Sequence, residues 1–185
     1  MPSFSQLRLF YLCHFSKPSA DRSIYREIHR HSVKKIVELG VGNGHRALRM
    51  IEVARRRALT PTDIHYVGMD LFEARSESNV AGTSLKEVHQ LLRGTGARVQ
   101  LVPGNPSDTL MRLANSLGKV DLLILPAELD SPSFSRLWFF VPRLLHERSR
   151  VFVQQTLDDI RTGLVIKPPA EIDRLAAGGV RRHAA

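Results

Sequence analysis

A chain of 185 residues with 43% hydrophobic and 24% charged side chains sits at the globular average, which excludes wholesale disorder and collagen-like repeats. A domain of this size buries roughly 70% of its unfolded surface and needs no staples. Its single cysteine, Cys13, forms no internal disulfide and by itself no thiolate zinc site, so a reducing, cytoplasmic setting without a bound metal is expected.

The net charge is +9 and unevenly spread: residues 1–60 hold 12 basic and 4 acidic side chains, residues 61–185 hold 15 and 14. A basic surface steers phosphates and acidic partners towards itself. RNA is therefore one candidate partner of the N-terminal third. An Arg to Lys ratio of 21 to 6 fits codon bias equally well. The apolar run Leu9–Cys13 is bracketed by Arg8 and His14 and is too short for a signal core or a membrane span. Leu137–Val141 is also short and stops at Pro142, so no membrane partner is expected.

Ser23–His31 has the spacing of a short amphipathic helix with Ile24 and Ile28 inward. Ile36–Leu39 reads as a first strand, followed by glycines. Ala47, Met50, Ile51 and Ala54 then mark one face of a helix, with Arg55, Arg56 and Arg57 in its last turn, where the helix dipole favours cations. Ile64–Met69 reads as a second strand. Ser84 and Glu87 form a capping box that opens a helix carrying Val88, Leu91 and Leu92. Val99–Val102 is a third strand, and Ser107 or Asp108 caps a helix carrying Leu110, Met111, Leu113, Ala114 and Leu117. Val120–Leu125 is a fourth strand. Phe134–Leu145 is helical with a kink or break at Pro142, and Val151–Val153 is a fifth strand. Continuously apolar strands separated by helices predict an α/β fold: a three-layer, doubly wound, mainly parallel sheet.

Between the first strand and its helix lies Glu38-Leu39-Gly40-Val41-Gly42-Asn43-Gly44. Glycines let the backbone turn tightly and approach a ligand, and the helix N-terminus behind them presents unpaired N–H groups. Open sheets of this type bind ligands beyond the C-terminal strand ends. A dinucleotide fingerprint needs a third glycine at position 45, where this chain has His45. His45 opens the helix near the mouth of any such cleft.

The pattern E-x-G-x-G-x-G, with Asp70 closing the second strand, resembles motif I and its neighbourhood in the class I S-adenosylmethionine-dependent methyltransferases. The resemblance spans residues 33–155 and implies their Rossmann-like fold and S-adenosyl-L-methionine as cofactor. It implies that Glu38, Gly40, Val41, Gly42, Asn43 and Gly44 hold the methionine end. Asp70 would take the ribose hydroxyls, with Leu71 against the adenine. Val99–Asn105 resembles the family's third-strand segment, where Asn105 stands in place of an acid and would accept from the adenine amino group. Trp138, Pro142, Leu144 and Leu145 resemble the helix before the fifth strand in small-molecule O-methyltransferases. Attack on a sulfonium methyl needs alignment more than a dedicated nucleophile. The resemblance to small-molecule O-methyltransferases implies a small-molecule acceptor. The alternative is a binding module of this fold, weakly active or inactive, docking RNA or an acidic partner.

Two departures stand out. Pro126 occupies the strand end where metal-dependent relatives carry an aspartate, and Glu128 and Asp130 follow it as candidate general bases. The family ends in a reversed hairpin of two strands, whereas Leu164–Ile166 is the one strand-like run after Val153. The expected organisation is a single domain over 1–185. A helical extension fills 1–32, a cofactor-binding core 33–155 and a partly loose tail 156–185, without the complete hairpin. The fifth strand's edge is then covered by the tail or by a second subunit in a homodimer.

Overall fold

Six strands form one sheet in the computed structural model, which describes residues 6–74, 83–126, 132–158 and 161–181. They are β1 (Lys35–Leu39), β2 (His65–Asp70), β3 (Arg98–Pro103), β4 (Val120–Leu125), β5 (Leu145–Asp158) and β6 (Arg161–Lys167). Their order is β3-β2-β1-β4-β5-β6; β6 is antiparallel to β5 and the other pairs are parallel. β2 and β3 extend the sheet on one side of β1, and β4 and β5 on the other, so the β1–α3 loop stands at the switch point where such sheets bind ligands.

Burial explains which strands read clearly. β1, β2 and β4 are central and almost wholly buried. The edge strand β3 alternates between exposed and half-buried residues over most of its length. One face is packed by α1 (Gln6–His14), α2 (Arg22–Arg30), α3 (His45–Ala54) and α4 (Leu85–Arg93), through Leu12, Ile24, Ile28, Met50, Ile51 and Val88. The other is packed by α5 (Pro106–Leu117), α6 (Pro132–Leu144) and α7 (Pro169–Arg181), through Leu110, Leu137, Trp138, Val141, Leu144 and Ile172. Each such aliphatic side chain, fully buried, contributes about 1.5–3 kcal/mol.

The Ser84–Glu87 capping box forms as expected, with Glu87 N–H donating to Ser84 Oγ at 3.2 Å and Ser84 N–H to Glu87 Oε2 at 2.8 Å. Other expectations need correction. α3 ends at Ala54, so Arg55–Arg57 lie beyond it. α6 runs through Pro142 to Leu144, so the helix does not break there. That proline sits two residues from the helix end, and its neighbours Trp138, Val141 and Leu144 are buried, so packing offsets the lost hydrogen bond. The fifth strand is far longer than Val151–Val153, because β4 pairs its first part and β6 its second. The expected loose tail is, in its described residues, the end of β5, then β6 and α7. One antiparallel strand thus follows β5 where the resemblance implies two. It occupies the β5 edge, which removes the reason for a homodimer there.

Among the described residues, no helix is long and apolar enough to cross a membrane. None of their His, Cys, Asp and Glu side chains gather in a group of three that could hold a metal ion.

Candidate functional site

The β1–α3 loop is built by positive-φ backbone: Gly40, Gly42 and Gly44 have φ of +83°, +59° and +76°. Gly44 has a second constraint. A Cβ there would lie 3.0 Å from Val88 Cγ1, so the third glycine lets α3 approach α4. Val41 turns inward, and Gly68 on β2 makes room for it: a Cβ on Gly68 would fall 2.7 Å from Val41 Cγ2. The loop is therefore seated on the sheet by one side chain and by the absence of another.

Asp70 fastens the loop from β2. Its Oδ2 accepts from Gly42 N–H at 2.8 Å and its Oδ1 from Phe72 N–H at 3.2 Å, and the residue is 1% exposed. Asn43 Oδ1 accepts from His45 N–H at 3.1 Å, which shapes the entry into α3.

Glu38 lies under the loop and is fully buried. Its Oε1 accepts from Arg46 Nε at 2.5 Å and its Oε2 from the Tyr66 hydroxyl at 2.5 Å. Arg46 also donates to Gly40 O at 3.2 Å and lies 3.7 Å from Asp21 Oδ1. Burial pushes the Glu38 and Asp21 carboxyls up, and Arg46 opposes that in both. Burial alone would lower the Arg46 pKa, but Glu38 and Asp21 hold it above its ordinary range. The Tyr66 phenol is raised by burial and by Glu38. A cation in the first turn of a helix opposes the dipole; here two acids offset that.

A cleft of about 560 Å³ opens over this network. Gly40, Val41, Gly42 and Asn43 form its floor, with His45, Arg46 and Arg49 on the α3 side. Lys17, Pro18 and Asp21 line it from the segment between α1 and α2, and Gln154 from β5. Its size suits a small organic molecule.

The site residues read from the sequence divide accordingly. Gly40, Val41, Gly42 and Asn43 line the cleft, and Gly44 and Glu38 support it from below. Asp70 reaches it through the hydrogen bond to Gly42, while Leu71 and Asn105 do not line it. Asn105 is the N-cap of α5: its Oδ1 accepts from Ser107 N–H at 3.0 Å and Asp108 N–H at 3.3 Å. That corrects the expected cap at Ser107 or Asp108, and it commits the oxygen expected to accept from an adenine. Glu128 and Asp130 lie outside the described residues.

Sequence reasoning missed Lys17, Asp21, Arg46, Arg49 and Gln154. Arg46 carried a signal, because a cation at a helix N-terminus asks for an acid nearby. The others meet the site only through tertiary packing.

No protein-family model matches the chain, and neither does any curated protein sequence. Solved structures do resemble it. The apo TDP-rhamnose 3'-O-methyltransferase CalS11 of calicheamicin biosynthesis matches with a TM-score of 0.58 at 18% identity, over 95% of this chain and 73% of that one. A Staphylococcus aureus protein provisionally named a caffeoyl-CoA O-methyltransferase matches with a TM-score of 0.53 at 15% identity, over 98% and 82% of the two chains. A Plasmodium falciparum protein provisionally named a protein-L-isoaspartate O-methyltransferase, in complex with S-adenosyl-L-homocysteine, matches with a TM-score of 0.51 at 11% identity. It spans 83% of this chain and 72% of its own. At these identities the likeness establishes the fold: the chain has the Rossmann-like architecture of these methyltransferases.

Proposed function

We propose that the chain is an S-adenosyl-L-methionine-dependent methyltransferase acting on a small-molecule acceptor. The observation that carries this reading is the glycine loop at the switch point, whose residues Gly40–Asn43 floor a cleft at the N-terminus of α3. Its residues fit the methionine end of the cofactor. A Cβ at Gly42 would meet nothing within 4 Å, so the backbone there is open to a close approach. The side chains of Asn43 and Gln154 bring amides to the cleft wall. The fold likeness supports the same reading.

When bound, S-adenosyl-L-methionine supplies an electrophilic sulfonium methyl. Gly40–Asn43 would hold its methionine end, and Asp70 would fix the loop against β2. The Glu38–Arg46–Asp21 network would keep that loop and the N-terminal segment in one arrangement. The chain's contribution is alignment and exclusion of water.

Calorimetric titration with S-adenosyl-L-methionine, S-adenosyl-L-homocysteine and NAD tests the proposal. Micromolar binding of the first two and none of NAD is expected. In Asp70→Asn one of the two N–H donors from Gly42 and Phe72 faces an amide NH₂, so the loop shifts and affinity falls at least roughly tenfold. Absence of binding by the wild-type protein refutes the proposal.

A further inference from the structure

The cleft has a charge imbalance that the loop does not explain. Lys17, Arg46 and Arg49 line it against one carboxylate, Asp21, with Glu38 as a second acid beneath. Arg46 is engaged by both acids. Arg49 Nη1 donates to a carbonyl, Lys17 O, at 2.7 Å, and its charge acts on Asp21, the carboxylate that Arg46 also engages. The Lys17 ammonium is exposed and has no acid partner among the described residues. Three cations therefore face two acids at the positive end of a helix.

The sulfonium cofactor does not restore the balance, because its ammonium and carboxylate cancel and its sulfur adds a positive charge. Lys17 and Arg49 share the cleft with Gln154 of β5, and the turn Ser19–Asp21 after Lys17 packs against β6. We propose that the acceptor is an organic anion whose carboxylate or phosphate group docks between Lys17 and Arg49. This rests on the methyltransferase reading. The anionic group neutralises the excess charge, and the rest of the acceptor shares the cleft with the cofactor, whose methionine end the glycine loop holds.

The test titrates inorganic phosphate, and separately acetate, into the full chain saturated with S-adenosyl-L-homocysteine, with chloride as the ionic-strength control. Binding of phosphate or acetate beyond the chloride effect is expected, and the stronger of the two names the group. Lys17→Gln and Arg49→Gln should each weaken it roughly tenfold, since each removes one charge-assisted hydrogen bond. Their affinity for S-adenosyl-L-homocysteine should stay within about threefold, on the scale of a fraction of one hydrogen bond. Melting curves in chloride check that both fold; Lys17→Gln changes only an exposed side chain. Competition between phosphate and S-adenosyl-L-homocysteine would overturn the proposal, because the cations would then serve the cofactor's own carboxylate. Equal effects of chloride and phosphate, or undiminished anion binding by both variants, would overturn it as an adventitious ion only. If the wild-type protein binds phosphate but not S-adenosyl-L-homocysteine, the methyltransferase reading fails and the acceptor assignment falls with it.

Discussion

Replacing Glu38 with Gln probes whether the loop rests on one coupled unit. The substitution keeps shape and removes charge. The wild-type carboxylate accepts from Arg46 on one oxygen and from Tyr66 on the other, both at 2.5 Å. An amide has one oxygen, so either Tyr66 or Arg46 must face an NH₂. Breaking one side of a buried ion pair costs about 3–5 kcal/mol. The lower end applies here, because Arg46 keeps Asp21 at 3.7 Å and Gly40 O at 3.2 Å. A loss of about 3 kcal/mol lowers Tm by roughly 6–12 °C for a chain of this size. Arg46→Met leaves the opposite partner buried. Glu38 is already held above the usual carboxylate range by burial, and losing Arg46 raises it further. A carboxyl raised on folding is favourable below its unfolded value, and that contribution is lost as pH rises through the folded value. Arg46→Met should therefore lose more stability at pH 7 than at pH 4–5. The double variant, which removes the charge pair together, should be closer to wild type than the two single losses combined. Urea unfolding of the four proteins measures the cycle. A loss below about 1 kcal/mol in Glu38→Gln, with additive singles, would refute the coupled network.

Gly44→Ala combines a left-handed residue with a 3.0 Å approach to Val88 Cγ1. It should cost about 2–4 kcal/mol. Adding Val88→Ala should relieve the contact part of that cost but not the backbone part, measured as coupling in denaturant unfolding. Asn105→Ala removes the α5 cap and should cost about 1 kcal/mol, whereas Asn105→Asp should be near neutral, both read from Tm. If Asn105→Ala leaves stability unchanged but weakens S-adenosyl-L-homocysteine binding, the residue contacts the cofactor as the sequence resemblance implied.

The central sheet was legible because burial on both faces forces uninterrupted apolar sequence, as in Val120–Leu125. β5 was not. Its first half carries His146, Glu147, Arg148 and Arg150, which reads as a loop, yet Arg150 Nε donates to Glu27 at 3.3 Å and His146 Nε2 lies 3.0 Å from Asp121. Pairing with β4 and β6 supplies the order that composition does not. The glycine loop was equally legible, since positive φ selects glycine at fixed spacing. Its partners were not. Asp21 lies 25 residues before Arg46 on another element, and nothing local specifies that they meet. Glu38 shows the limit most clearly: its position beneath the loop follows from the motif, but its attachment to Arg46 and Tyr66 needs the fold.

The charge of the N-terminal third has a different meaning in the folded chain than in the sequence. Read as a list, 12 basic against 4 acidic residues suggests a surface for an acidic macromolecule. In the fold, several of those cations are committed internally. Arg8 pairs with Glu52 at 2.7 Å, Arg30 with Glu27 at 3.5 Å and Arg46 with Glu38, and Arg22 donates to the Ser16 carbonyl. Every acid of this segment is thereby drawn into its own structure, Asp21 included. What remains at the cleft is Lys17 and Arg49, on the helical extension and on α3. A diffuse basic face would hold RNA through many weak, salt-sensitive contacts. Under the acceptor proposal, two cations lining a small cleft instead select one anionic group. The extension that supplies Lys17 and Asp21 is therefore part of the site and not an appendage to it. Removing residues 1–21 should abolish anion recognition even where the sheet still folds.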